Sequence, residues 1–280
     1  MKKHSVKRSA QRAVIYVILV VLVLLTLLPL GWILSTSFKP NNEIFANPPY
    51  WIPKAPTVNN YVHVLTNSSI PTAFLNSLIV ALTCSLMALI LGCMAGYAFA
   101  RFSFRGKGIL SLFMLLSQML PLTVLMIPLY YMENAVGLVD TKFGLSLAHL
   151  VIALPLVTWM SKGYFKGIPH EIEEASMVDG CTMLQNIFYI VVPLLRPALA
   201  ATGIYAFISS WNEYALANVL TRSSSSRTVP LALNDFSTFF KINWGDTMAA
   251  AALITLPIIV VFLSVQKQFV EGLASGAVKG

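Results

Sequence analysis

The sequence predicts an all-α membrane protein with six transmembrane helices, and two observations favour this fold class. Of the 280 residues, 57% are hydrophobic and only 11% are charged, whereas a soluble domain carries about 25% charged residues. The apolar residues also form long runs, and these suit membrane helices because such a helix needs about 20 of them. Barrel strands, at roughly 10 residues each, are much shorter. The predicted spans are residues 13–34, 73–100, 108–132, 143–161, 197–220 and 247–266.

The first apolar run follows a basic segment, residues 1–12. This arrangement resembles a secretory signal peptide. The apolar stretch is nevertheless longer than the roughly 7–15 residues usual in signal peptides, and no cleavage site of small residues follows it. We therefore predict that residues 13–34 are retained as the first span.

The basic residues predict the orientation of the spans. With six spans and both termini in the cytoplasm, about two thirds of the 19 Lys and Arg residues lie on the cytoplasmic side. This distribution agrees with the positive-inside rule. Membrane topology therefore explains the formal net charge of +8, and we expect no nucleic-acid partner.

The sequence offers no catalytic or metal-binding pattern. Its three cysteines form no CxxC pair, and none has a plausible extracellular partner, so we predict neither a disulfide nor a metal site. The sequence lacks the GxxxxGK[ST] pattern of nucleotide phosphate loops and the GxSxG and HExxH patterns of hydrolases. We expect a protein that is not itself an enzyme.

The predicted cytoplasmic loop over residues 166–196 is expected to be structured, because unstructured loops of this length are uncommon. Pro169 suits the first turn of a helix, and the acidic residues that follow are favoured by the positive end of the helix dipole. Gly180 is a natural helix stop. A first short helix is therefore predicted before Gly180.

A second short helix is predicted after Gly180. Thr182 and Gln185 have the spacing of a capping box, which begins a helix. We expect Pro193 to end this helix and Pro197 to open the fifth span.

One face of the first short helix is predicted to be a contact surface. Ile172, Ala175 and Ser176 lie at positions i, i+3 and i+4, so they share a small and mildly apolar face. This face suits close packing against a partner protein. The alternative is a helix lying on the lipid surface, although such helices prefer Lys and Arg to acidic residues.

The same loop contains a recognisable motif. Glu174-Ala175-Ser176-x-x-x-Gly180, then nine residues, then Ile190-x-Val192-Pro193 resembles the signature loop of ATP-binding cassette (ABC) importer permeases. That signature reads Glu-Ala-Ala, three residues, Gly, nine residues, Ile-x-Leu-Pro. Ser176 and Val192 depart from it, and both are conservative in size.

The resemblance extends over nearly the whole chain, to the carbohydrate-uptake branch of these permeases. The ending Glu271–Gly280 is similar to the tail of the maltose-type second permease, the MalG-like subunit. The other matching segments are Ser37–Pro40, Pro56–Tyr61, Asn76–Leu78, Tyr97–Phe102, Gly137–Thr141, Ser210–Glu213 and Arg227–Pro230.

The resemblance implies an architecture and a set of partners. The expected fold is that of a type I ABC importer permease, with one transmembrane domain over residues 13–270 and a cytoplasmic tail over residues 271–280 that reaches towards the ATPases. The expected partners are a second permease in a heterodimer, two ATPase subunits and an extracytoplasmic solute-binding protein, besides membrane lipid. ATP is expected on the ATPases and no cofactor on this chain. The implied place is the bacterial inner membrane, and the implied solute is a sugar or oligosaccharide.

The resemblance also implies roles for residues of the loop, which is expected to dock on an ATPase subunit. Glu174 is expected to pair with a basic group there, Ala175 and Ser176 to permit close approach, and Gly180 to allow the turn. The full predicted docking set is Glu173, Glu174, Ala175, Ser176, Asp179, Gly180, Ile190 and Pro193.

Polar groups within spans are candidates for the solute path. Gln118 either binds a sugar hydroxyl or bridges two helices. Asn212 and Glu213 either line the path or an outer gate, or have a structural role. His149, with Ser146, is expected to make a contact between helices.

Two other classes of protein remain open at this point. An ion-coupled secondary transporter would be expected to contain internal repeats and charges within the membrane. No clear repeat is present, and Glu213 is the one carboxylate within a predicted span. A membrane enzyme is disfavoured by the absence of acid–base clusters, whereas a membrane scaffold is compatible with the structured loop.

Overall fold

The computed structural model describes residues 2–236 and 243–277, and side chains for residues 12–236, 243–264 and 266. This described part is helical and contains no strand, which confirms the predicted all-α class. A π-helical stretch covers Ile187–Val191, and a 3-10 turn covers Leu233–Phe236. The α-helices are α1 (Lys2–Ser37), α2 (Asn41–Ile44), α3 (Asn59–Thr66), α4 (Ile70–Arg101), α5 (Lys107–Ser117), α6 (Leu122–Ala135), α7 (Lys142–Gly167), α8 (His170–Val178), α9 (Met183–Asn186), α10 (Val192–Leu194), α11 (Arg196–Trp211), α12 (Ala215–Leu220), α13 (Val229–Ala232) and α14 (Trp244–Ala277).

Among the described residues, four helical segments are long and apolar enough to cross a membrane alone: Arg12–Ser37 of α1, all of α4, all of α7, and Trp244–Ser264 of α14. Two bent pairs raise the number to six if each pair counts as one span. The pair α5 and α6 is bent by 105°, and Met183–Leu194 meets α11 at 81°.

Two predicted spans differ from the structure. The span predicted at residues 108–132 is broken between α5 and α6, where Pro121 lacks the N–H needed to continue the helix. The span predicted at residues 197–220 ends early, at Trp211, and α12 starts separately at Ala215. This second break follows from Glu213, whose carboxylate accepts the first free N–H groups of α12.

The sequence predicted a single domain over residues 13–270, whereas the contacts of the described chain group into two compact units. One comprises residues 1–68 and 233–255, and the other comprises residues 69–232 and 256–280. The basic segment 1–12 and the tail 271–280 lie mostly outside the described side chains, so the predicted tail contact falls outside the described residues.

In the larger unit, α4, α7 and α11 pack together around α4. Three apolar clusters follow one another along α4, around Val80, around Ala88 and around Tyr97. The helices approach closely where α4 carries glycine: a Cβ added at Gly96 would lie only 2.6 Å from the Cβ of Ser161 on α7. Small residues commonly allow such approach between membrane helices.

In the smaller unit, the chain after α1 is held by a compact polar junction. The Asn60 side chain donates to the carbonyl oxygens of Ser37 at 2.8 Å and Lys39 at 2.9 Å. The Glu43 carboxylate accepts the backbone N–H groups of Lys54 and Ala55, each at 2.9 Å. Two segments that the sequence motifs had singled out, Ser37–Pro40 and Pro56–Tyr61, therefore meet in the fold.

Candidate functional site

The loop after α7 folds into helix α8 and a sharp turn. Pro169 occupies the N-cap position of α8, and Glu171 and Glu173 lie in its first turn, where the helix dipole favours negative charge. At the other end, Gly180 has a φ of +91°. The N–H groups of Gly180 and Cys181 donate to the carbonyl oxygens of Met177 and Ser176, at 3.1 and 3.0 Å. This pattern is a Schellman motif, and it confirms the predicted stop at Gly180.

The second half of the loop begins with the predicted capping box. The Thr182 hydroxyl accepts from the N–H of Gln185, and the Gln185 side chain accepts from the N–H of Thr182 at 2.8 Å. Helix α9 then continues through the π-helical stretch into α10. Pro193 was predicted to end this helix, and that prediction was wrong. Pro193 sits in the first turn of α10, where its missing N–H costs little. The break falls at Leu195, and Pro197 lies in the first turn of α11 as expected.

A buried polar cluster fixes this loop to the end of α4. Glu173 forms an ion pair with Arg101, whose Nε donates to Glu173 Oε1 at 2.6 Å. Tyr97 Oη donates to Glu173 Oε2 at 2.8 Å, and Asn186 Nδ2 lies 3.3 Å from the same oxygen. We call Tyr97, Arg101, Glu173 and Asn186 the loop anchor. The side chains of Arg101 and Glu173 are only 6% and 7% exposed, so the pair is shielded from water.

Arg101 also reaches the backbone at the start of the loop. Its Nη2 donates to the carbonyl oxygen of Ile168 at 3.0 Å, and its Nη1 lies 3.3 Å from His170 Nε2. One guanidinium group therefore joins the last turn of α4 to both sides of the junction between α7 and α8.

The outward face of α8 differs from the predicted one. Ser176 was expected on the contact face, but it is buried and donates to the carbonyl oxygen of Glu173 at 2.7 Å. At about 100° per residue, Glu173 and Ser176 face inward together. The opposite face carries Ala175 and Val178, with Glu171 and Glu174 beside them, and all four are exposed. Val178 is 87% exposed and lies at the centre of this face.

Three further residues of the predicted docking set lie after the last turn of α8. Asp179 is exposed at the C-cap of α8. Ile190 and Pro193 are half-buried, in the π-helical stretch and α10 respectively. The docking roles of these residues stay predictions.

The predicted path residues are not brought together into one site. Gln118 lies at the break between α5 and α6 and donates to the carbonyl oxygen of Ile152 on α7 at 3.2 Å, so it bridges two helices. Asn212 is exposed at the end of α11. The described residues contain no group of three His, Cys, Asp or Glu side chains that would hold a metal ion.

Glu213 occupies a structural position in this chain. Its carboxylate accepts the N–H groups of Leu216 at 2.8 Å and Ala217 at 3.1 Å, and so it caps α12. His149 Nε2 lies 3.2 Å from the same carboxylate, and His149 Nδ1 lies 2.7 Å from Ser210 Oγ on α11. The predicted contact of His149 between helices is thereby confirmed.

A second polar cluster joins two loops of the larger unit, and the sequence reasoning gave its residues no role. Asp140 accepts hydrogen bonds from the backbone N–H groups of Arg222 at 2.7 Å and Ser223 at 3.0 Å, and from the Ser226 hydroxyl. We call Asp140, Arg222, Ser223 and Ser226 the serine clasp. Burial alone would raise the pKa of Asp140, but these hydrogen bonds outweigh it and lower the pKa to about 2.

The start of α4 is bound to the segment that follows the clasp. Asn76 Nδ2 donates to the carbonyl oxygens of Ser225 at 2.7 Å and Arg227 at 2.9 Å, and Ser77 Oγ accepts from the N–H of Val229 at 2.8 Å. Helix α4 therefore has one end bound to this segment and the other to the loop anchor. The signal for the anchor was present in the sequence: Arg101 ends an apolar span and needs a counter-charge, which the acidic run Glu171–Glu174 supplies.

Comparison with known proteins gives consistent results. Residues 88–274 match the family described as "Binding-protein-dependent transport system inner membrane component". The trehalose transport system permease protein SugB of Mycobacterium tuberculosis is 39% identical over 90% of this chain and 92% of its own length. The diacetylchitobiose uptake system permease protein DasC of Streptomyces coelicolor is 34% identical, over 90% and 91%. The inner membrane ABC transporter permease protein YcjP of Escherichia coli is 34% identical, over 98% and 99%.

Solved structures agree on the fold. A chain from the crystal structure of a bacterial ABC transporter that imports the acidic polysaccharide alginate superposes with a TM-score of 0.78, at 23% identity, over 91% of this chain and 94% of that one. A chain of the MetNI methionine ABC transporter gives 0.56, at 14% identity, over 71% and 92%. From the family match and the identities to its relatives, the chain belongs to the binding-protein-dependent transport system inner membrane components, the membrane-spanning permeases of ABC importers.

Proposed function

We propose that this chain is a permease subunit of an importer for a sugar or oligosaccharide, and that the outward face of α8 is the surface through which separate ATPase subunits drive it. One observation carries the proposal. Helix α8 is fixed to α4 by the buried Arg101–Glu173 pair, while its opposite face exposes Ala175 and Val178. A helix held this rigidly and left uncovered on its outer side is suited to receive a partner.

The geometry offers a mechanical route from this surface into the membrane. A force on α8 reaches the end of α4 through the loop anchor and reaches α11 through α9 and α10. Helices α4, α7 and α11 are packed together. Because packed cores resist deformation, they move as a body. Closure of the ATPases would then rotate these helices together and alternate the access of the solute path.

The outward face of α8 predicts the chemistry of the complementary surface on the ATPase. Glu171 and Glu174 flank the small and apolar centre formed by Ala175 and Val178. A complementary cleft has an apolar floor and basic groups at its rim, so Glu174 pairs with a basic side chain there. This assignment replaces the sequence-based face of Ile172, Ala175 and Ser176, because Ser176 is turned inward.

The remaining partners follow from the family. The chain lacks a GxxxxGK[ST] pattern, so ATP is bound by separate subunits and this chain holds no cofactor. The family is binding-protein-dependent, so an extracytoplasmic protein delivers the solute, and a second permease completes the path as a heterodimer. The distribution of Lys and Arg favours a cytoplasmic location for both termini and the α8 loop.

The solute class rests on the relatives. Two of them are named for trehalose and for diacetylchitobiose, both of which are disaccharides. A di- or oligosaccharide is therefore the class to test first on this chain. Gln118, at the corner between α5 and α6, and Asn212 are the side chains available to contact it.

The test uses purification of the tagged full chain from native membranes in mild detergent, with mass spectrometry of the proteins that stay bound. We expect an ATPase and a second permease with the wild-type chain. Val178→Asp, which puts a charge at the centre of the α8 face, should lose the ATPase but keep the second permease. Val62→Asp is the matched control because Val62 is also exposed, at 52%, on α3.

The opposite results are informative as well. Equal retention of the ATPase by the wild-type chain and Val178→Asp would remove α8 as the docking surface. A wild-type chain that is purified alone and moves sugar into liposomes without ATP would be a secondary transporter, and the importer proposal would be wrong.

A further inference from the structure

A basic cavity lies along the last turns of α7, where Lys162 reaches Ser111 on α5. It has a volume of about 190 Å³ and is lined by Trp159, Lys162, Gly163 and Lys166. These positions follow the i, i+3, i+4, i+7 spacing, so they form one stripe along the last turns of α7. The cavity is distinct from the outward face of α8 and from the loop anchor.

The lysines around this cavity are held together without a counter-ion. Lys162 Nζ donates to Ser111 Oγ on α5 at 3.2 Å and lies 4.9 Å from the ring centroid of Trp159. The charges of Lys107 and Lys166 both act on Lys162. In the described part of the chain, none of these three lysines has a carboxylate oxygen within 4.0 Å. Lys162 and Lys166 line the same cavity and their like charges repel each other, so a bound anion would stabilise the arrangement.

Lys162 is not placed as a solvated lysine would be. Long basic side chains near the end of a membrane helix usually extend towards water. Lys162 is instead half-buried, between Ser111 and the rings of Trp159 and Phe99. A lysine ammonium has three donors, and the Ser111 hydroxyl takes one of them, so further donors are available to a ligand.

The surroundings of the cavity are those of a membrane interface. Trp159 is 47% exposed, and half-exposed tryptophans are typical of the level of the lipid headgroups. On α5, Leu115 lies one turn after Ser111, on the side of α5 that faces α7, and it is 47% exposed. These apolar side chains favour acyl chains next to a charged head, which a free anion does not bring.

We infer that this cavity binds the phosphate group of an anionic phospholipid, with Lys162 and Lys166 on the phosphate and the acyl chains along α5. Basic pockets between membrane helices are known to take such headgroups. The bound lipid would join α5 to the end of α7, the helix that leads directly into the α8 loop. It would thus stabilise the end of α7, where the loop begins, without contacting the ATPase.

The test is native mass spectrometry of the detergent-purified full chain with dioleoylphosphatidylglycerol or dioleoylphosphatidylcholine at equal concentration. We expect retention of phosphatidylglycerol, and a loss of about tenfold or more in the double variant Lys162→Gln and Lys166→Gln, from the attraction of two basic side chains to the headgroup. Lys54→Gln and Lys142→Gln together are the control for loss of charge elsewhere.

A second variant fills the cavity without removing a charge. A Cβ added at Gly163 meets nothing within 4 Å, so Gly163→Leu is compatible with the fold and should block the lipid. Gly167→Leu is its control, because Gly167 also has open space but does not line the cavity. If the lysine variant fails to fold, Gly163→Leu alone decides the question.

Inorganic phosphate and soluble glycerophosphoglycerol distinguish the two sources of the anion. If neither displaces phosphatidylglycerol at millimolar concentration, the ligand is the lipid. If both displace it fully, the site takes a free phosphate group and the assignment to lipid is overturned. Equal retention of the two lipids, or retention unchanged in both the lysine variant and Gly163→Leu, would overturn the site altogether. None of these readouts depends on an ATPase or a sugar, so the result is independent of the proposed function.

Discussion

The loop anchor and the serine clasp both join separated segments of the chain, but they do so with different chemistry. The anchor uses a carboxylate and a guanidinium that are almost completely buried. The clasp uses Asp140, which is only partly buried, and neutral N–H and hydroxyl donors. A buried pair is strongly destabilised when one partner is lost, whereas water can replace the hydrogen bonds of a partly exposed clasp. The difference indicates that the α8 loop is held in one arrangement, while the clasp region tolerates change.

Helix α4 is the element that relates these two regions. It is 32 residues long, or about 48 Å at the rise of an α-helix. Its first turns bind the segment after the clasp through Asn76 and Ser77, and its last turns carry Tyr97 and Arg101 of the anchor. Variants at either end therefore test the same helix under two different restraints.

The largest effect is expected from Arg101→Ala, which leaves Glu173 buried without its partner. The expected loss is about 3–5 kcal/mol in the free energy of unfolding, together with loss of the ATPase from the purified complex. Unfolding in a titration with denaturing detergent measures the first quantity. Arg105→Ala is the control, because Arg105 is exposed and has no ion pair among those of the described chain. Equal stability of the two variants would show that the anchor is not a buried pair in the protein.

Gly180→Ala should give the next largest effect, by straining the turn that follows α8. With a φ of +91°, the position disfavours any side chain, and the expected cost is about 1–2 kcal/mol. Gly163→Ala, inside α7 with ordinary φ and open space around a Cβ, should be neutral or slightly stabilising. Limited proteolysis of the α8 loop would detect local opening even where global unfolding is unchanged.

Asp140→Asn should have a smaller effect, of about 1 kcal/mol or less, because the amide oxygen still accepts hydrogen bonds. The pKa of Asp140 lies below its ordinary value, so the carboxylate stabilises the fold above about pH 4. That stabilisation is lost as the pH falls towards 2. The wild-type chain should therefore lose clasp contacts between about pH 4 and pH 2, as read by hydrogen exchange at residues 222–226. An Asp140→Asn chain with the same pH profile would contradict this role for Asp140.

The smallest effect on stability is expected from Glu174→Gln. Glu174 is exposed on α8, so the free energy of unfolding should change by less than about 0.5 kcal/mol. Retention of the ATPase should nevertheless fall, because a surface charge is removed from the proposed docking face. Glu173→Gln next to it should instead lower the free energy of unfolding clearly, because Glu173 is the buried partner of Arg101. If the two neighbouring variants behave alike, the inner and outer faces of α8 are not separate in function.

The sequence was sufficient for the fold class and for the local structure of the loop. Apolar runs predicted membrane helices, and local chemistry predicted the stop at Gly180 and the capping box at Thr182, because both depend on residues within one or two turns. The inward orientation of Ser176 was missed, since it follows from the contacts that Tyr97 and Arg101 of α4 make with Glu173, far away in the sequence. The break after Trp211 was missed too, because the apolar character continues across it and hydropathy does not detect a lost hydrogen bond.

The corner between α5 and α6 limits the environment that can surround this part of the chain. Over Gln118–Pro121 the helical ladder of backbone hydrogen bonds is interrupted, while the neighbouring Met119 is 74% exposed. Peptide groups that lack partners are not tolerated against hydrocarbon, and at membrane depth they occur only beside water or another polypeptide. The corner therefore cannot face lipid tails in the assembled protein. The chain must therefore be hydrated or covered by a second subunit at this corner.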